Sequence, residues 1–280
     1  MEVIKAHSLG FCSGVKLAIG VVESAIKEAQ SLGVPCYIYG DIVHNAHVMD
    51  RIIGAGVIRI ESPAEDYAPG LLIIRTHGIS DALRLAFIEK GFQIKDATCP
   101  VVLRNQGLVR ESEKKVIILG LEGHSEVNSL SGATKNALIV DSIDKLSLLD
   151  KATSYNAIVQ TTFSSSAFEE IKKKILELSL DVTFLNDICK SSQLRRKGVM
   201  DLKGKVDALI VVGDRHSANT NELVSIAREM GMIAFLVENA NNITSEMTCY
   251  SRIGLTAGAS TPDYIYSEVE DYLRSIDDGR

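Results

Sequence analysis

The chain has 280 residues, 46% of them hydrophobic and 24% charged, and a formal net charge of −6. That composition belongs to a folded protein with room for one large or two to three small domains, and it excludes disorder. An acidic balance without a basic stripe argues against a nucleic-acid surface, so an anionic ligand would have to be held by local dipoles.

The longest apolar runs, such as Leu71 to Ile74 and Ala208 to Val212, are far too short to cross a bilayer. The residues after Met1 lack the basic-then-apolar pattern of a signal peptide, and a cytoplasmic location with no membrane partner is the expectation. Five cysteines, with no CxxC pair, speak against a disulfide framework or a zinc ribbon and leave thiols available as metal ligands.

In chain order, Val3 to Ala6 alternates as a short strand and runs through a small turn into Cys12. Apolar residues then recur at helical spacing from Val15 to Gln30. Gly33-Val34-Pro35 stops that helix, and Cys36 to Tyr39 reads as a strand ending at Gly40, before the polar cluster Asp41 to Asn45. A weaker strand at Val57 to Ile60 precedes a strong one at Leu71 to Ile74, whose exit is Arg75-Thr76-His77-Gly78-Ile79-Ser80.

Gln93 to Asp96 starts the order again, with Cys99 and a second helix. Val116 to Leu119 leads into Gly120 to Glu126, Ala137 to Val140 follows, and Ala157 to Val159 leads into Gln160 to Ser164. A third round begins with Val182-Thr183-Phe184, Cys189 and a helix. It continues with Ala208 to Val212 before Gly213 to Asn219, Ala234 to Val237, Ile253 to Leu255 before Thr256 to Ser260, and a closing helix over 267–276.

Cys12, Cys99 and Cys189 stand 87 and 90 residues apart, and near-equal steps of domain size mark a triplicated unit. Each unit alternates strands and helices, which predicts three α/β domains, each with a mostly parallel four-stranded sheet. The predicted divisions are 13–98, 99–188 and 189–280. The third unit lacks a last strand and the strand at Val3 to Ala6 is left over, so residues 1–12 are expected to complete the third sheet.

In parallel sheets, ligands bind beyond the carboxyl ends of the strands, where all these polar clusters lie. A thiol at a strand end and helix start sits at the positive end of the helix dipole, a place that suits a thiolate ligand. Cys12, Cys99 and Cys189 are so placed, whereas Cys36 lies inside an apolar strand and Cys249 in a polar segment. Three thiolates suit zinc or an iron-sulfur cluster with one open position, and spacing alone does not choose.

His44, His77 and His124, with Ser217, Asn219, Ser260 and the helix N-termini behind them, offer the donors a phosphate or diphosphate needs. Glu126 is a carboxylate at a strand exit beside a histidine. In an enclosed cavity its pKa is expected to rise, making it a proton donor near neutral pH. Thr161, just past a strand, is suited to relay a proton or bind a hydroxyl. No G-x-G-x-x-G or Walker loop is present, so nucleotide binding has no support.

Taken in order, these residues resemble the LytB (IspH) family of 4-hydroxy-3-methylbut-2-enyl diphosphate reductases. The match runs through Gly10-Phe11-Cys12-Ser13-Gly14-Val15, Val43-His44-Asn45, His77-Gly78, Asp96-Ala97-Thr98-Cys99-Pro100 and Gly123-His124-Ser125-Glu126-Val127. It continues through Gln160-Thr161-Thr162, Asp187-Ile188-Cys189, Ser217-Ala218-Asn219 and Thr256 to Pro262. The resemblance implies a trefoil of three pseudo-threefold-related domains around one [4Fe-4S] cluster, held by Cys12, Cys99 and Cys189 with its apical iron open to substrate.

It further implies that His44, His77, His124, Ser217, Asn219 and Ser260 hold the diphosphate, with Thr161 close to the substrate hydroxyl and Glu126 delivering the proton. The implied products are isopentenyl diphosphate and dimethylallyl diphosphate. Electrons would come from a ferredoxin, a flavodoxin or a flavodoxin-reductase pair, and the enzyme would be a monomer or weak dimer. Ala218 stands where the family usually has serine, Ser125 where it has proline, and Arg104-Asn105-Gln106 and Lys190-Ser191 also depart from its pattern. Two other readings stay open at this point: a non-catalytic diphosphate-binding paralogue and a zinc-dependent hydrolase.

Overall fold

A computed structural model describes residues 1–64 and 66–276. The chain opens with strand β1 (Glu2–Lys5), and helix α1 (Ser13–Leu32) follows. Next come β2 (Cys36–Tyr39), α2 (Ala46–Gly54), β3 (Ile58–Ile60), β4 (Leu71–Ile74), α3 (Asp81–Glu89) and β5 (Gln93–Asp96), whose strands form a sheet of order β3-β2-β4-β5.

The second sheet, of order β7-β6-β8-β9, comes from β6 (Lys115–Leu119), β7 (Ala137–Val140), β8 (Tyr155–Val159) and β9 (Val182–Phe184). Its helices are α4 (Pro100–Arg110), α5 (Ser125–Ser131) and α6 (Ser165–Glu177). The third contains β10 (Ala208–Val212), β11 (Ile233–Val237) and β12 (Arg252–Ala257), with α7 (Lys190–Met200), α8 (Ala218–Glu229) and α9 (Asp263–Ser275). Its order is β1-β12-β10-β11, so β1 takes the place that β5 and β9 hold in the other two.

Every strand pairing among the described residues is parallel. Parallel neighbours need a crossover between them, and helices on the sheet faces leave central strands buried on both sides. Leu71, Leu72, Ile73 and Ile74 of β4 accordingly have 0% exposure. In the second sheet the pleat splits the side chains cleanly. Ile117, Leu119, Ala157 and Val159 pack with Phe168, Ile171 and Ile175 of α6. Val116, Ile118 and Ile158 pack with Val109 of α4 and with Val127 and Leu130 of α5. Each such aliphatic side chain contributes about 1.5–3 kcal/mol by leaving water, and truncating one to alanine costs about 2–5 kcal/mol.

The chain divides into two compact units. One comprises Met1–Lys16, Val43–Asp50 and Lys190–Arg280, and the other Leu17–Ile42 and Arg51–Cys189. The closing helix starts earlier than expected, at Asp263 instead of 267. Pro262 supplies the extended residue before it and the Asp263 carboxylate sits in its first turn, where the helix dipole favours negative charge. Among the described residues no helix is long and apolar enough to cross a membrane.

Candidate active site

In each sheet the strand order reverses between two central neighbours, β2 and β4, β6 and β8, or β10 and β12, and such a switch point opens a crevice at the carboxyl ends. The three cysteines are tied to these exits in the same way. The Cys12 N–H donates to the Ala259 carbonyl at 3.1 Å, Cys99 to Thr76 at 3.0 Å and Cys189 to Thr161 at 3.3 Å. Each acceptor follows the second central strand of its sheet, and each cysteine immediately precedes a helix, α1, α4 or α7.

None of the three is in a disulfide, and all are half-buried. Cys12 Sγ also accepts the Val15 N–H at 3.4 Å, in the first turn of α1. The remaining two cysteines differ. Burial inside β2 pushes the Cys36 thiol up, and Cys249 is exposed with its sulfur 3.0 Å from the Glu246 carbonyl.

In the unit that holds the second sheet, His124 caps α5: its Nδ1 accepts the Glu126 N–H at 3.1 Å. His77, at the exit of β4, meets that ring edge to face with centroids 5.5 Å apart. Glu126 is 1% exposed. Its two oxygens accept the Thr161 N–H at 2.8 Å and the Thr161 hydroxyl at 2.6 Å. Burial pushes its carboxyl up from the usual 4.5 to about 7, against the pull of both Thr161 bonds. The side chain is therefore divided between acid and carboxylate near neutral pH.

In the other unit, Ser217 caps α8 by accepting the Thr220 N–H at 3.4 Å. Ser260 lies 3.4 Å from the Ser217 hydroxyl and 3.1 Å from the His44 carbonyl. Asn219 accepts the Ala259 N–H through Oδ1 at 2.8 Å, while its Nδ2, buried with the side chain, has no hydrogen-bond partner among the described residues. An orphaned buried donor is costly unless a ligand or water completes it. The helix approaches the strand exits closely because two glycines allow it. A Cβ on Gly258 would lie 2.2 Å from Thr220 Oγ1 and one on Gly213, whose φ is +155°, 2.6 Å from the same atom.

The structure thus groups Cys12, His44, Ser217, Asn219 and Ser260 in one unit and His77, Cys99, His124, Glu126, Thr161 and Cys189 in the other. The sequence reading missed Ser129 and Gln106, both 1–2% exposed, which bond to the backbone around His77. Their only sequence signal is a polar residue on a helix with otherwise buried neighbours.

Fold and site residues together describe an α/β protein with a buried carboxyl, polar side chains at strand exits and three thiols at helix starts. The chain belongs to the family described as LytB protein, whose model matches residues 3–274. It is 36% identical over 286 residues to the 4-hydroxy-3-methylbut-2-enyl diphosphate reductase of Treponema denticola, covering 98% of this chain and 99% of the relative. It is 35% identical to the enzyme of the same name from Solidesulfovibrio magneticus, covering 98% and 100%. Among solved structures, the E-1-hydroxy-2-methyl-but-2-enyl-4-diphosphate reductase of Plasmodium falciparum aligns with a TM-score of 0.89 at 26% identity, covering 96% of this chain and 87% of that one. A second solved reductase, described as the terminal enzyme of the non-mevalonate pathway, aligns at 0.71 with 30% identity, covering 98% and 99%.

Proposed function

We propose that this protein reductively removes the hydroxyl of 4-hydroxy-3-methylbut-2-enyl diphosphate, giving isopentenyl diphosphate and dimethylallyl diphosphate. Two electrons and two protons enter and one water leaves. The observation that carries this reading is the buried Glu126 carboxyl, bonded through both oxygens to Thr161 and titrating near neutrality. Full-length similarity to named reductases supports it.

The finer assignments belong to the same proposal. Cys12, Cys99 and Cys189 would hold one [4Fe-4S] cluster with an open iron, and the donor set suits it: three half-buried thiols outside any disulfide, each hung by its N–H from a strand exit. Bound there, the cluster would supply the electrons and a Lewis-acidic iron for the leaving hydroxyl. The three repeats would be 13–98, 99–188 and 189–280 completed by 1–12. The electron donor would be a ferredoxin, a flavodoxin or a flavodoxin-reductase pair, acting in the cytoplasm on a monomer or weak dimer.

The chain's own residues would do the rest. Asn219 Nδ2, the Ser217 and Ser260 hydroxyls, and His44, His77 and His124 would bind and orient the diphosphate as donors. Thr161 would bond the substrate hydroxyl and pass it the proton that Glu126 holds, and burial keeps that acid away from bulk water. Anaerobic purification with iron, sulfide, zinc and turnover analysis tests this. About four irons and four sulfides per chain, lost in Cys99→Ser, with turnover of the allylic diphosphate, is the expected result. Zinc in their place, or no metal after reconstitution, overturns it.

A further inference from the structure

Behind the acid lies a polar node that neither the repeat nor the family resemblance accounts for. Ser129, on the second turn of α5 and 1% exposed, places its hydroxyl 2.7 Å from the His77 carbonyl and 2.9 Å from the Glu126 carbonyl. A serine hydroxyl has one proton, so the two carbonyls share it. From α4, the Gln106 amide donates to the Ile79 carbonyl at 3.1 Å and reaches the Ser129 carbonyl at 3.5 Å.

The loop leaving β4 closes tightly over this node. Gly78 has a φ of +71°, and a Cβ there would lie 3.1 Å from Gln106 Nε2 and 3.3 Å from Ser129 Oγ. At the far end of α5, a Cβ on Gly132 would lie 2.2 Å from Ser80 Cβ. The His77 loop is thus fastened along α5, the helix that starts with His124 and Glu126.

We propose that Ser129 is a positioning residue: its one hydroxyl sets the spacing between the His77 backbone and the Glu126 backbone, holding an anion-binding histidine and the acid on one frame. This rests on the reading of His77 and Glu126 given above. Backbone bonds from Gly78 to Arg75 and from Cys99 to Thr76 hold the loop on either side of His77, Ser129 Oγ bonds the His77 carbonyl itself, and displacing a reacting or binding group by about an ångström is costly in rate. A purely structural serine would only lower the melting temperature when removed.

The test uses the cluster-loaded protein with Ser129→Ala and Ser129→Thr, each in wild-type and Glu126→Gln backgrounds. Readouts are kcat, inorganic pyrophosphate affinity by calorimetry, and thermal unfolding. Ser129→Ala is expected to lower kcat about tenfold and to weaken pyrophosphate about threefold or more, since one hydrogen bond is lost. Ser129→Thr, which keeps the hydroxyl, should recover most of both. In the Glu126→Gln background, Ser129→Ala should leave the residual kcat unchanged yet still weaken pyrophosphate.

Wild-type kcat and pyrophosphate affinity in Ser129→Ala overturn the proposal, as does a loss that merely follows the unfolded fraction. If Glu126→Gln itself turns over normally, the acid assignment falls. The pyrophosphate comparison then decides alone whether Ser129 positions His77.

Discussion

The second residue of α5, Glu126, accepts the backbone N–H of Thr161, and the second residue of α8, Asn219, accepts that of Ala259, both at 2.8 Å. The parallel extends further. His124 and Ser217 are the caps just before them, and the carbonyls of Thr161 and Ala259 receive the N–H groups of Cys189 and Cys12. One backbone arrangement therefore occurs in both units with different chemistry attached. A carboxyl at this place becomes a buried acid whose second oxygen takes the Thr161 hydroxyl. A carboxamide becomes a fixed donor whose NH₂ has no partner among the described residues, and it cannot titrate. The repeat supplies the geometry, and single side chains set whether the place holds a titratable carboxyl or a fixed carboxamide.

The most direct way to break this comparison is to give the acid site the chemistry of the other. Glu126→Gln keeps the bond from Thr161 N–H and should lower kcat by roughly 10²- to 10⁴-fold while pyrophosphate affinity persists; steady-state kinetics with calorimetry checks it. In the wild type, kcat should fall as pH rises through about 7, because the donor loses its proton there. Stability carries the same sign. A carboxyl whose folded pKa is raised contributes fully below the usual 4.5, and that contribution is lost as pH rises through about 7. The free energy of unfolding, measured from pH 4 to 8, should therefore decline for the wild type relative to Glu126→Gln.

The reverse exchange has a smaller effect. Asn219→Asp keeps the acceptor for Ala259 N–H but sets a negative charge beside a bound anion. Pyrophosphate affinity should drop by about tenfold or more, with the loss easing at low pH, as calorimetry across pH would show. Ala218→Ser should have the smallest effect. It adds a neutral donor on the first turn of α8 and is expected to tighten pyrophosphate by about two- to tenfold, corresponding to one hydrogen bond.

Much of the architecture was legible in the chain itself. The runs Cys36 to Tyr39, Leu71 to Ile74 and Ala208 to Val212 coincide with β2, β4 and β10, because strands buried on both faces read as continuous apolar segments closed by a polar exit. The cysteines also stood out, since a thiol between a strand and a helix recurs at near-equal steps. The start of α9 lies four residues before the expected 267, and Ile265, buried one turn ahead of Val269 and two ahead of Leu273, carries the helical spacing back to it. Seven-residue α5 is too short to show a period at all.

By itself, then, the sequence determined the strand-and-helix alternation, the repeat and the identity of the chemically capable side chains, because each is a property of local pattern and residue type. Tertiary structure alone decided that Glu126 is buried against Thr161, that Asn219 occupies the matching place beside Ala259, and that Ser129 and Gln106 stand behind His77. Those facts depend on which strand exits a helix N-terminus packs against, and the resulting desolvation and hydrogen bonds arise between residues distant in the chain.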